Sequence, residues 1–151
     1  MSTADSYQSP AGFADQPITA LAVYCADGRF GPHFRRFLER HLGLRVYDTL
    51  ALPGGPAAIV HDDPPGLMPA ARTQMRFLLQ AHPIEHVILI AHDQCAFYRQ
   101  HLGCDPAELP QRQRADLAAV ATWLNSAAPS ATISSYQARL YGGHVLFEPA
   151  T

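Results

Sequence analysis

Residues 86–91 read His-Val-Ile-Leu-Ile-Ala, with Pro83 just upstream and the polar His92-Asp93-Gln94 just downstream. A run this short, continuously apolar and bounded by breakers suits a strand covered on both faces, at the centre of a parallel sheet. Residues 18–24 (ITALAVY) are a second short run of the same kind and read as another buried strand. Residues 44–50 (LRVYDTL) read as a third strand and residues 133–140, which alternate, as a fourth. Gly142-Gly143 separates the fourth from residues 144–147, an antiparallel hairpin partner.

Helical patterns fall between these strands. Pro32 suits the first turn of a helix, and Phe34, Phe37, Leu38 and Leu42 follow at helical spacing until Gly43. Met68, Ala71, Met75, Leu78 and Leu79 make a second amphipathic helix that stops before Pro83. A short helix is expected near Gln94, and residues 106–124 carry Leu117, Val120, Ala121 and Leu124 on one stripe. Pro53-Gly54-Gly55-Pro56 is a tight loop, and residues 62–66 are another breaker. The order predicts an α/β domain: a mainly parallel central sheet flanked by helices, with a C-terminal antiparallel hairpin. Residues 1–17 are expected to form an N-terminal arm, loose or ordered against a partner subunit, and residues 18–151 a single domain.

Composition narrows the function classes. Apolar residues make up 48% and charged residues 16%, which is globular and leaves little room for a long disordered tail. A net charge of -2 gives no electrostatic footprint for nucleic acid. No apolar run approaches the length of about 18 residues that a membrane span needs, and residues 1–16 lack the basic-then-apolar order of a secretory signal. Three dispersed cysteines argue against a disulfide framework and for a reducing, cytoplasmic compartment. All 11 basic residues are arginine, and without lysine neither a Walker A loop nor Schiff-base chemistry is available.

In open α/β sheets, ligands bind beyond the carboxyl ends of the strands. Two predicted strand ends carry metal-ligand chemistry: Cys25-Ala26-Asp27-Gly28-Arg29 and His92-Asp93-Gln94-Cys95. Two thiols and an imidazole make a three-ligand zinc set whose fourth position stays open to water, the pattern of a catalytic site. The alternative is two cysteines buried as small hydrophobes, with His92 bonded to backbone. Asp27 and Arg29 are one residue apart and face the same side of an extended or tightly turning segment. Held by Arg29, Asp27 stays ionised and is suited to orient a metal-bound hydroxide. It would otherwise ligate the metal itself or be a surface ion pair worth little. Cys104 is a further candidate ligand, more simply read as a half-buried thiol. His33 or His61 are candidate proton carriers. His82 and His86 read as surface residues, and His101 and His144 have no evident partner. Phe30, Phe34 and Phe37 read as core, and Phe97 and Tyr98 as a wall of the pocket or of a subunit contact.

Cys25-x-Asp27-x-Arg29 followed by His92-x-x-Cys95 resembles the zinc site of β-class carbonic anhydrases, and the order of elements is similar to that fold across residues 18–147. The resemblance implies Zn2+ held by Cys25, His92 and Cys95, an Asp27–Arg29 dyad, and a homodimer with its site near the subunit interface. It implies reversible hydration of carbon dioxide to bicarbonate by a metal-bound hydroxide. Departures accompany it. The Arg-Asn-Ala-Gly-Asn or Arg-Asn-Ala-Gly-Gly loop of that family corresponds here to Ala51-Leu52-Pro53-Gly54-Gly55, where the two glycines, Gly54 and Gly55, match as candidate substrate-pocket residues and the Arg and Asn are replaced by apolar residues. Ala96 stands where glycine is common after the second cysteine, and Gly28 where serine is usual. The altered loop keeps two other readings open: hydrolysis of carbon disulfide or carbonyl sulfide at the same site, and a non-catalytic zinc protein. A metal-free domain that merely keeps the fold is a further one.

Overall fold

The apolar run at the centre of the sequence forms a strand, β3 (His86–His92), with six of its seven residues buried. In the computed structural model it pairs in parallel with β1 (Ala20–Cys25) on one side and with β4 (Thr132–Tyr141) on the other. β2 (Asp48–Leu52) lies parallel on the far side of β1, and β5 (His144–Pro149) runs antiparallel beyond β4. The sheet order is β2-β1-β3-β4-β5. The description covers residues 5–150; residues 1–4 of the expected arm, and residue 151, lie outside the described residues. Residues 5–17 hold no helix or strand and are exposed.

Alternation along the strands sends side chains to two cores. Leu21, Val23, Val87, Leu89 and Ala91 pack with Met75 of α2 (Leu67–Ala81) and Leu117, Val120 and Leu124 of α4 (Leu109–Ala127). Ala20, Ala22, Tyr24, Ile88 and Ile90 pack on the other face with Phe30, and with Phe34 of α1 (Gly31–Arg36). The helix expected after Pro32 runs on past α1 as a π-helical segment, Phe37–His41. The short helix expected near Gln94 is α3, Ala96–Gln100.

The boundary that differs most from the expectation is the start of the second strand. The strand expected over residues 44–50 begins only at Asp48. The apolar lead-in closes the preceding helix instead: Gly43 turns at φ +71°, and Leu44 N–H donates to the Leu38 carbonyl at 3.0 Å. Leu44 and Tyr47 then pack on the aromatic core. The shift carries Ala51 and Leu52 into β2, with Leu52 paired to Cys25. The expected loop is thereby shortened to Pro53 and Gly54, and a wholly buried 3-10 helix, Gly55–Ile59, follows it.

Candidate metal centre

Cys25 is the last residue of β1 and His92 the last of β3, so the adjacency of these parallel strands brings both to one edge of the sheet. Beyond His92 the chain turns sharply. Gln94 takes φ +56°, unusual for a residue with a Cβ, and Cys95 then sits at the N-terminus of α3. Cys25, His92 and Cys95 are all buried, at 8%, 1% and 2% exposure. Their ligand atoms lie within 4.8 Å of one another.

The ring of His92 has a defined tautomer. Nδ1 lies 2.6 Å from the Asp93 carbonyl oxygen, which can only accept, so Nδ1 carries the proton. Nε2 is left with its lone pair, buried and without a hydrogen-bond partner. Phe30 packs against the ring at a centroid distance of 4.3 Å. The two thiols perturb each other: the contact with Cys95 holds the Cys25 thiol well below its ordinary range, against the opposing effect of burial. The same contact, with burial, drives Cys95 upward. Two buried thiols and an orphaned imidazole nitrogen form a donor set that fits Zn2+, which takes sulfur and nitrogen ligands and displaces thiol protons.

Asp27 follows in the turn between β1 and α1. Its carbonyl accepts the N–H groups of Phe30 and Gly31 at 3.1 and 3.0 Å. Its carboxylate accepts Arg29 Nε–H at 3.1 Å, a second guanidinium N–H at 2.7 Å and the Arg29 backbone N–H at 2.9 Å. These bonds hold the carboxyl at about 2, below its ordinary 3.8. Gly54 and Gly55 sit beneath the first cysteine. A Cβ on Gly55 would lie 2.7 Å from the Cys25 backbone nitrogen, and one on Gly54 2.6 Å from the Phe97 ring.

The other candidates scatter. Cys104 is buried rather than half-buried, and its thiol faces the Asp105 carbonyl at 3.4 Å, outside the three-donor group. With Cys95, Arg99, Leu109 and Arg139 it lines a cavity of about 290 Å3. His61 approaches Asp116 at 2.9 Å, and the buried Tyr98 donates its hydroxyl to Asp116 at 2.6 Å. His33 is exposed on α1. His82 is half-buried and pairs with Asp48 at 2.6 Å. Three neighbours of His92 were not tied to it in the sequence: Phe30, read only as core, and Asp93 and Gln113. Gln113 had a signal, since it interrupts the buried stripe of Leu109, Leu117, Val120 and Leu124 on α4.

Solved structures of carbonic anhydrases share this architecture, among them two with a TM-score above 0.5. A carbonic anhydrase from Glaciozyma antarctica matches with a TM-score of 0.54 at 15% identity, covering 87% of this chain and 83% of that one. A carbonic anhydrase from Streptococcus mutans matches with a TM-score of 0.52 at 16% identity, covering 90% and 87%. No protein-family model and no curated protein sequence matches the chain. The chain therefore has a divergent β-carbonic-anhydrase-like fold, and the likeness is one of fold. Among the described residues, no helix is long and apolar enough to cross a membrane.

Proposed function

We propose that this chain is a zinc enzyme that hydrates carbon dioxide to bicarbonate. The observation that carries the reading is the orphaned, buried Nε2 of His92 facing two buried thiols, all donor atoms within 4.8 Å. Cys25, His92 and Cys95 are the ligands. Zinc there supplies Lewis acidity and lowers the pKa of water from about 15.7 toward about 7. Asp27 is the catalytic acceptor: ionised at every working pH, it orients a water proton and with it the lone pair that attacks the substrate carbon. Arg29 holds Asp27 away from the metal by occupying both of its carboxylate oxygens. Gly54 and Gly55 form the wall of the substrate pocket.

The reading includes a cytoplasmic homodimer. Three free, buried cysteines suit a reducing compartment. The exposed Tyr7, Phe13 and Phe77 are apolar surface that a second copy would cover. Elemental analysis of the purified protein, joined to stopped-flow turnover of carbon dioxide, carbonyl sulfide and carbon disulfide, tests the function. One zinc per chain with carbon dioxide as the preferred substrate is expected. Zinc without any turnover overturns the enzyme reading, and preference for a sulfur compound overturns the substrate.

A further inference from the structure

Among the described residues, the buried polar side chains are His92, Gln113 and Gln137. Two uncharged amides so deep in an apolar core are costly unless fully bonded, and theirs lead to the peptide of His92. Gln113 Nε2 donates to the His92 carbonyl at 2.7 Å. Gln137, on β4, donates to the Pro110 carbonyl at 3.0 Å and approaches the Gln113 side-chain oxygen at 3.5 Å.

The β3–β4 ladder ends in an unusual way at the same point. Asp93 N–H donates to the Ala138 carbonyl at 2.9 Å, a regular parallel bond. The next bond of a parallel ladder would run from Leu140 N–H to the Asp93 carbonyl. Instead, Leu140 N–H donates to the Asp93 carboxylate at 2.8 Å. The Asp93 carbonyl is thereby released from the sheet, and it is the group that takes the His92 Nδ1 proton. The side chain of Asp93 substitutes for its own backbone. Arg139 Nε lies 3.1 Å from the other oxygen of the same carboxylate.

We propose that Asp93 and Gln113 are positioning residues for His92: Asp93 frees the carbonyl that fixes the ring tautomer, and Gln113 anchors the carbonyl of His92 itself. Together they hold Nε2, with its lone pair, toward the two cysteines. The inference rests on the reading of His92 as a metal ligand. It assigns the neighbouring acid to the ring's orientation and leaves proton transfer to Asp27.

The test uses the full-length chain and two readouts besides activity. One is the affinity for Zn2+ in competition with a chelator. The other is the 15N-detected state and solvent exchange of the His92 Nδ1 proton. Asp93→Ala should weaken zinc binding by about 10–100-fold and speed exchange of that proton, as expected when the outer partner of a ligand histidine is lost. Gln113→Leu, which keeps the volume and loses the donor, should move both readouts the same way. Asp93→Asn keeps an oxygen for Leu140 N–H and should stay close to wild type, a rescue that loss of charge alone would not give. Wild-type affinity and exchange in both Asp93→Ala and Gln113→Leu overturn the proposal, as does an Asp93→Asn as weak as the alanine variant. If Asp93→Ala fails to fold, Gln113→Leu against wild type decides by the same readouts. A wild-type chain that binds no zinc overturns the ligand reading alone. The Nδ1 proton in that metal-free sample then still decides the positioning: fixed in wild type and mixed in the variants supports it, and no difference overturns it.

Discussion

β3 has a histidine at each end, and the two have opposite surroundings. His86, at the N-terminal end, is half-buried with Nε2 2.8 Å from the Ser134 hydroxyl on β4. His92, at the C-terminal end, is fully buried, gives Nδ1 to a carbonyl and turns Nε2 toward two thiols. Residue type and strand are the same, so neither makes a candidate ligand. The difference lies in what the neighbouring strands bring to each edge. At the N-terminal edge, β1 and β4 offer Ala20 and Thr132 as the partners of His86. At the C-terminal edge, β1 ends in Cys25, and the turn after β3 returns Cys95. Parallel strands collect all their carboxyl ends on one edge, so loops from separate parts of the chain combine there.

The largest break in this comparison should come from Cys95→Ser. Bound zinc should be lost and the thermal midpoint should fall steeply, because ligand binding energy is also folding energy. His86→Ala should keep its zinc. Elemental analysis and thermal unfolding of the two variants check this, and a Cys95→Ser protein with full zinc removes Cys95 from the site. Next in size is Asp27→Ala, which should retain zinc while kcat/KM for carbon dioxide falls by about 100-fold, the usual scale for a lost acid–base partner. Stopped-flow assay of zinc-loaded protein reads the effect, and normal turnover excludes Asp27 from the reaction.

Gly55→Ala sharpens the contrast between the site edge and the remainder of the fold. Its Cβ would meet the Cys25 and Tyr24 backbone at 2.7 Å with φ at +55°. Strain plus overpacking should cost about 2–4 kcal/mol. Gly43→Ala, at φ +71° with open space around it, should cost about 1–2 kcal/mol from backbone strain alone. Urea unfolding separates the pair, and equal losses would deny the close approach under Cys25.

The smallest effect belongs to His86. Burial lowers its pKa below the ordinary 6.5, so the folded state binds fewer protons there than the unfolded chain. Its stabilising contribution is fully present above pH 6.5 and is lost as pH falls below that value. The fall in urea midpoint between neutral and mildly acidic pH should therefore be shallower in His86→Ala than in wild type. Identical slopes would show that His86 titrates as it does in the unfolded chain.

Much of this molecule was legible in one dimension. The apolar runs at residues 18–24 and 86–91 gave two buried strands, and the cysteines and histidine just past them gave the donor types. Periodicity reports only which residues face a core, and its failures follow from that. Leu44 and Tyr47 are apolar because they pack on the aromatic core beyond the helix end, so the start of β2 was misplaced by four residues. Asp93 carried no reading in the sequence, although its side chain terminates the ladder from β4. Gln113 interrupted an apolar stripe visibly, but its partner lies 21 positions away in the chain.

The sequence by itself determined the order of elements, the doubly covered central strand and the chemical types at the strand ends. Those depend on neighbours within a few positions, where side-chain spacing and turn residues act directly. Only the tertiary structure decided that β1 lies against β3, that His92 keeps its proton on Nδ1, and that Phe30, Asp93 and Gln113 hold the ring. These contacts join residues far apart in the chain. A hydrogen bond or a ring contact has reach of only a few ångströms, so packing has to bring the partners together before any of them can act.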